Sequence, residues 1–174
     1  APRPRRAGSF RGQPEALEHL LLLRGVFGFA GEIGHIIISG RPELCRCGNR
    51  GCLEAVVSVP SVKEQLSHTH PHLDVDAVDL ATLNDPVTAR ILNESGRTMG
   101  TVLAGLCDLL NPTLLIIGGE LGASGQPLID GVRASVNRFA QPSTSSAIQV
   151  VAAGLGQRAE LVGTVQLAAA LARA

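Results

Sequence analysis

Apolar residues recur with a helical period over one long stretch in the middle of the chain. The stretch opens with Asp85 and Pro86, a pair that favours a helix start, because Asp caps free backbone N–H groups and Pro fits the first turn. It closes at Asn111 and Pro112, since a proline ring stops a helix. The pattern predicts one amphipathic helix, with apolar positions Val87, Ile91, Leu92, Met99, Val102, Leu103, Leu106 and Leu110.

Shorter apolar runs predict strands, and the segments between them predict further helices. Residues 113–117, closed by Gly118 and Gly119, form a continuous apolar run that is typical of a fully buried strand. Strands are also predicted at 35–38 and 148–151, and helices at 53–58, 127–139 and 159–171. A further helix is predicted to start at Ser61, because Glu64 three residues later gives the spacing of a capping box. Alternation of strands and helices indicates an α/β fold with helices packed on a sheet.

The composition is that of a neutral globular protein. Of 174 residues, 45% are hydrophobic, and 15 basic residues balance 15 acidic ones, which excludes a globally basic nucleic-acid binder. No apolar run is long enough to cross a bilayer, and the arginine-rich start lacks the apolar stretch of a signal peptide, so we expect a cytoplasmic protein. Residues 1–15 are expected to form a flexible arm before a single domain at 16–174.

Three cysteines and a histidine are spaced like the ligands of a structural metal site. His35, Cys45, Cys47 and Cys52 supply one imidazole and three thiols, a set that zinc binds with no open position for water. Gly48 and the other loop glycines allow tight turns around one ion, and Arg46 and Arg50 are expected to stabilise the thiolates. The alternative is three buried free cysteines. The sequence favours a structural zinc bound in a loop at 35–54.

Other cysteine and histidine positions point away from metal. Cys107 falls on the apolar side of the long helix and is expected to be a core residue. His68, His70 and His72 alternate, but Pro71 interrupts them and no carboxylate or thiol is adjacent, which favours a solvated loop.

Two carboxylates flank the predicted metal ligands. Glu32 precedes His35 by three residues, and Glu54 follows Cys52 by two, so a metal that fixes this segment would hold both near the imidazole. Carboxylates and a ring N–H suit the hydroxyls of a sugar or polyol. Alternatively, Glu54 is an acidic residue in the first turn of a helix, favoured by the helix dipole. Gly118 and Gly119 after the predicted strand fit a nucleotide-binding turn, but their spacing alone does not distinguish it from the ordinary turn of a strand that ends in glycine.

Two sequence motifs around the predicted metal ligands resemble those of a known family. The run from Gly31 to His35 (GEIGH), followed by Cys45 to Glu54 (CRCGNRGCLE), is similar to the signature of the ROK family of bacterial sugar kinases and sugar-responsive transcriptional regulators. The resemblance implies that His35, Cys45, Cys47 and Cys52 bind structural zinc and that Glu32, His35 and Glu54 contact sugar hydroxyls. It also implies the actin-like, ribonuclease-H-like α/β lobe of the sugar kinase superfamily, with a mixed sheet.

The chain departs from the family pattern in two respects. The family kinases carry an N-terminal lobe with an Asp-x-Gly-Gly phosphate loop and an Asn-Asp pair, whose aspartate is the catalytic base. We do not recognise that lobe in this chain, so no catalytic residue is assigned. The chain also contains no winged helix-turn-helix, the domain through which the family regulators bind DNA. We therefore expect a C-terminal part of a longer protein, or a truncated member, without catalytic activity of its own.

The tail favours the regulators. Residues 155–160, Leu-Gly-Gln-Arg-Ala-Glu, resemble the step before the last helix of the regulators, which predicts an effector-binding and oligomerisation domain for a sugar or sugar phosphate. The alternative is the C-terminal lobe of an ATP-dependent hexose kinase. Family resemblance implies a homo-oligomer. Gly96, Gly100 and Gly105 in the long helix predict close approach of another element, either a second subunit or another part of the same chain.

Overall fold

The computed structural model describes residues 25–172, which fall into two compact units with a boundary between Glu32 and Ile33. In the first unit, the described residues 25–32 form turns, and Gly25, Gly28 and Gly31 have positive φ angles. The flexible arm predicted at 1–15 lies outside the described residues.

The second unit contains the core and the predicted ligands. Its helices are α1 (Leu53–Val56), α2 (Val59–Thr69), α3 (Pro86–Leu110), α4 (Gly119–Ala123), α5 (Gln126–Phe139), α6 (Pro142–Ala147) and α7 (Ala159–Leu171). Its strands are β1 (Leu114–Ile117) and β2 (Gln149–Ala152), and single 3-10 turns lie at Ile33–His35, Leu80–Thr82 and Gly156–Arg158. In the described residues no helix is both long and apolar enough to span a membrane.

The long helix α3 has the predicted ends. The Asp85 side chain accepts hydrogen bonds from the Thr88 hydroxyl and from the backbone N–H groups of Thr88 and Val87, and these contacts, the hydroxyl first, lower the pKa of Asp85 to about 2. At the other end Asn111 adopts the left-handed conformation, with φ of 46°. The sequence predicted the Asp85 cap and the position of the C-terminal end, but it assigned that end to Pro112 and did not predict the left-handed conformation of Asn111.

Helix α3 packs closely against α5 through glycines on both helices. A Cβ atom on Gly96 would overlap the Leu128 carbonyl oxygen, and one on Gly100 would lie 2.6 Å from the Val132 carbonyl oxygen. Reciprocally, a Cβ on Gly131 would overlap the Asn93 carbonyl oxygen. Packing within the chain thus accounts for Gly96 and Gly100.

The two strands form a parallel sheet, with Leu114 opposite Gln149 and Ile117 opposite Ala152. Only one face of β1 is covered: Ile117 is buried in the core, whereas Ile116 is 58% exposed. The prediction of a fully buried strand was therefore wrong for the described chain, because helices cover one face of the sheet there. The sheet of the described residues is also parallel rather than mixed.

Several local predictions need correction. Residues 35–38 form no strand: His35 ends a 3-10 turn and Ile37 makes a single antiparallel bridge to Cys52. Helix α2 begins at Val59 rather than Ser61, because the Ser58 side chain caps it and Pro60 fits its first turn. The histidine segment is a loop only in part, since α2 extends to Thr69. Helices α4 and α6 were not predicted.

Candidate metal centre

The segment from Ile38 to Leu53 folds back on itself through backbone hydrogen bonds. The Cys45 N–H donates to the Asn49 carbonyl at 2.8 Å, and the Gly48 N–H donates to the Cys45 carbonyl at 2.9 Å, which closes a tight turn. Gly48 has φ of +92° there, in the region that glycine tolerates best. The loop therefore brings the first two cysteines to one end of a narrow hairpin-like turn.

Gly51 places the third cysteine against the first two. Its φ is +75°, and a Cβ atom at this position would lie 2.8 Å from the carbonyl oxygens of both Ile38 and Arg41. Only glycine fits such an approach without moving the backbone. The next residue, Cys52, is fully buried and immediately precedes helix α1.

The four predicted ligands lie together. One donor atom from each of His35, Cys45, Cys47 and Cys52 lies within 4.8 Å of the other three. The Cys45 Sγ is 3.8 Å from the His35 Nδ1, and the Cys47 Sγ is 3.6 Å from the Cys52 Sγ. A tetrahedral metal with bonds of about 2.1–2.3 Å separates its ligands by about 3.4–3.8 Å. The donor set and its spacing thus fit one metal ion.

The electrostatics of the thiols favour a cation among them. A hydrogen bond from the Asn49 backbone N–H, with contributions from Cys45 and Cys52, lowers the pKa of Cys47 to about 7. Burial, and then the neighbouring thiols, raise the pKa of Cys52 to about 12. Adjacent sulfurs resist ionising together without a positive charge to balance them. A bound metal ion would supply that charge and displace the Cys52 proton.

The two arginines of the loop make contacts that the sequence did not predict. The Arg46 guanidinium forms an ion pair with the Glu54 carboxylate at 2.5 Å. The Arg50 guanidinium donates to the Pro42 carbonyl at 2.7 Å. The expected stabilisation of the thiolates by these side chains is not what the structure shows: the Asn49 backbone N–H is the largest cause of the low Cys47 pKa.

The predicted sugar-binding residues lie on both sides of the unit boundary. Glu54 stands in the first turn of α1, where a Cβ on Gly34 would contact its carboxylate at 3.5 Å. His35 turns its Nδ1 toward Cys45, and a metal bound there would leave Nε2 with the proton. Glu32 is exposed and belongs to the first unit. Helix α1 has only four residues, so a first-turn dipole effect is a weak explanation for Glu54.

The remaining cysteine and histidines lie apart from this cluster. Cys107 is buried in the apolar core, where burial raises the pKa of its thiol, as expected for a core cysteine. His70 contacts the Asp85 carboxylate at 3.3 Å, and His68 Nδ1 lies 2.8 Å from the Glu64 carbonyl oxygen. In the described part of the chain, the only group of donors arranged to hold a metal is the one at His35 and the three cysteines.

A cleft of about 850 Å³ was missed by the sequence analysis. Its lining includes Lys63 from α2, Gly119 and Glu120 at the start of α4, and Glu160 from α7. Lys63 is paired with Glu120 at 3.5 Å and donates to the Asp76 carbonyl at 3.3 Å. The Gly119 turn signalled a possible site, but the other walls come from distant segments that no local pattern connects.

Several proteins resemble this chain in sequence and in fold. Residues 20–171 match the ROK family. The chain belongs to the ROK family. The xylose repressor of Bacillus spizizenii is 31% identical over 143 residues, which cover 82% of this chain and 37% of the repressor.

Two solved ROK structures have the same fold over most of this chain. A ROK family glucokinase from Streptomyces griseus, solved with glucose and AMPPNP, is 31% identical with a TM-score of 0.67, over 83% of this chain and 53% of the kinase. A ROK family transcriptional regulator, described as a homologue of the E. coli MLC protein, is 25% identical with a TM-score of 0.66, over 75% of this chain and 36% of the regulator.

The family therefore includes both regulators and kinases at similar distances from this chain. The chain spans 36–53% of the length of these relatives. The ROK sugar kinase fold and the α/β class predicted from the sequence are confirmed.

Proposed function

We propose that this chain is the sugar-responsive effector-binding and oligomerisation part of a ROK-family transcriptional regulator, and that it acts without catalysing a reaction itself. The observation that carries the proposal is the four-donor cluster with the Glu54 carboxylate beside its loop. DNA would be bound through another domain of the full protein, in the cytoplasm, by a homo-oligomer. The regulator-like sequence at 155–160 supports a regulator over a kinase.

The second candidate is the C-terminal lobe of a glucokinase-like hexose kinase. The observation that favours it is the likeness to the glucokinase solved with glucose and AMPPNP. This chain contains no Asp-x-Gly-Gly loop, and its one Asn-Asp pair, Asn84 and Asp85, caps helix α3, where the Asp85 carboxylate accepts hydrogen bonds from the Val87 and Thr88 N–H groups. In a kinase, the groups that position phosphates and accept the hydroxyl proton would therefore have to come from another part of the full protein. The regulator is the first candidate because residues 155–160 resemble the regulators.

The metal in this proposal is a structural zinc ion held by His35, Cys45, Cys47 and Cys52. Three thiolates and one imidazole fill a tetrahedron and leave no position for a substrate or a reactive water. Two of the donors, Cys45 and Cys52, are buried, whereas His35 and Cys47 are exposed, so the ion would lie at the edge of the fold. Its role would be to fix the loop from which Glu54 and His35 are presented.

We expect the zinc affinity of the chain to rise with pH. The Cys52 thiol, with a pKa of about 12, carries a proton throughout the neutral range, and zinc has to displace it. The apparent association constant should therefore rise at least about tenfold per pH unit between about pH 6 and 8. Competition with a chromophoric chelator of known proton affinity measures this slope. Cys107→Ala is the matched control and should keep it, whereas a pH-independent affinity would contradict the assignment of thiol ligands.

Sugar binding is proposed for Glu32, His35 and Glu54. A carboxylate accepts two hydrogen bonds from neighbouring hydroxyls, and the zinc-bound imidazole donates through its second nitrogen. Within the second unit, the Glu54 carboxylate and the second imidazole nitrogen of His35 would offer an acceptor and a donor to sugar hydroxyls.

Calorimetric titration of the zinc-loaded chain with D-glucose and D-xylose, sugars named for two relatives, tests the proposal. We expect binding of at least one sugar, and we expect Glu54→Gln to weaken it about tenfold, because charged hydrogen bonds are worth about 1.5–3 kcal/mol. Glu64→Gln, an exposed carboxylate on α2, is the control and should leave the Kd unchanged. Equal affinities of the Glu54 variant and the unaltered chain would refute the assignment.

A further inference from the structure

Arg46 connects the metal-binding loop with a carboxylate of the proposed sugar site. It lies between the donors Cys45 and Cys47 in the sequence, so a bound metal holds the backbone on both sides of it. Its guanidinium pairs with Glu54 Oε1 at 2.5 Å. The pair therefore joins the first part of the loop to helix α1, which follows the last cysteine.

The other arginines of the loop have partners of a different kind. Arg41 pairs with Glu43 at 2.8 Å, and Arg50 donates to the Pro42 carbonyl oxygen at 2.7 Å. Both of these contacts stay within the loop at 41–50. Among these three, Arg46 is the arginine whose partner is a residue proposed to bind sugar.

The exposure of the pair argues against a role in stability. The Arg46 side chain is 82% exposed and the Glu54 side chain 33%. Ion pairs with so exposed a partner contribute little to folding, because water and salt screen the charges. A contact that adds little stability can still restrict the side-chain rotamers of the residue it holds.

The geometry of Glu54 shows what this restriction would achieve. Its Oε1 is engaged by Arg46, and its Oε2 lies beside the backbone of Gly34, the neighbour of His35. With one oxygen held, the other is fixed in direction before any ligand arrives. Ordering a side chain in advance removes that entropic cost from the binding step and so raises affinity.

We infer that Arg46 is a positioning residue, which orients the Glu54 carboxylate toward a sugar hydroxyl and makes sugar affinity depend on the ordered metal loop. The inference rests on the proposed function, since it assumes that Glu54 binds sugar. It assigns Arg46 no contact with the sugar itself. Its effect on binding must therefore disappear when the carboxylate is removed.

A double-mutant cycle between Arg46 and Glu54 tests this dependence. Zinc-loaded chains are titrated calorimetrically with D-glucose and D-xylose, and zinc content and thermal midpoint are measured for each variant. We expect Arg46→Met to raise the Kd about threefold to fivefold with zinc content unchanged, which is the most that an exposed ion pair can supply. Arg46→Lys should recover part of the loss, because Lys keeps the charge without the planar donors. In the Glu54→Gln background, Arg46→Met should change the Kd less than about twofold.

Arg50→Met is the matched control, because its guanidinium is bound to a backbone carbonyl of the same loop, and it should leave the Kd unchanged. Independent effects of Arg46→Met and Glu54→Gln would overturn the inference, as would an unchanged Kd in Arg46→Met. Loss of zinc in the Arg46 variants would show a structural role and would also overturn it. If neither sugar binds the unaltered chain, the proposed function fails first and the inference fails with it.

Discussion

Removal of the metal is expected to unfold the loop between His35 and Leu53 while helices α3 and α5 stay folded. Hydrogen–deuterium exchange with and without a chelator measures the two regions separately. Amide protection in the loop should fall at least about 100-fold, which corresponds to about 2.7 kcal/mol, because structural zinc sites contribute far more than this to the folding of their own ligand loops. Protection in α3 and α5 should change little.

The unequal response follows from what holds each region. The loop is held by a few backbone hydrogen bonds, such as Ile38 N–H to the Gly51 carbonyl and Leu53 N–H to the Ile36 carbonyl, and by a small apolar cluster of Leu53, Val56 and Val57. The larger apolar cluster contains residues of α2, α3, α5 and both strands. Burial of apolar surface stabilises that cluster with no contribution from a metal.

Variants separate the metal from general effects of the chelator. Cys52→Ser removes a buried donor with little change in size, and it should reproduce the loss of loop protection and of bound zinc. Cys107→Ala removes a thiol from the core and should lower stability while the zinc content stays at one per chain. A loop that keeps its protection in Cys52→Ser would show that the donors are merely buried cysteines.

The sequence predicted the candidate site better than the strand next to it. Three cysteines within eight positions, with glycines between them, predict a set of metal ligands without reference to the rest of the fold, and the structure brings these donors together. The prediction of a strand at 35–38 was wrong. It relied on β-branched residues that suit a sheet, but in the structure this segment has only one antiparallel bridge, from Ile37 to Cys52. The partner of Arg46 could not be predicted, since Glu54 comes near only after the loop has folded.

Helix ends were predicted where the signal is local and missed where it is tertiary. The start of α3 was predicted from two adjacent residues, the capping Asp85 and Pro86. Helix α6, by contrast, is a six-residue segment rich in Ser and Thr, a composition typical of loops. Its first turn is held by α3: the Asp108 carboxylate of α3 accepts a hydrogen bond of 2.8 Å from the backbone N–H of Gln141, the residue before α6. That contact joins residues 33 positions apart, which no local pattern reveals.

Gly96→Ala is expected to destabilise the chain severely, and Gly105→Ala to stabilise it slightly, although both glycines lie in α3. Alanine is the better helix former at either position, by about 1 kcal/mol. The added methyl group at Gly96 would overlap the Leu128 carbonyl oxygen of α5, whereas the one at Gly105 would contact nothing within 4 Å. The two substitutions are chemically identical and differ only in this neighbour.

The contact decides whether alanine stabilises or destabilises the chain, because a backbone carbonyl in a packed helix cannot move aside as a flexible side chain would. To accept the methyl group, α3 and α5 would have to separate along the whole contact that Gly100 and Gly131 also share. We therefore expect Gly96→Ala to lower the free energy of unfolding by about 3 kcal/mol or more, and Gly105→Ala to raise it by about 0.5–1 kcal/mol. Urea denaturation followed by circular dichroism measures both values. If the two variants were equally stable, the glycines of α3 would not be sites of close packing against α5, and a second subunit would again be the better explanation for them.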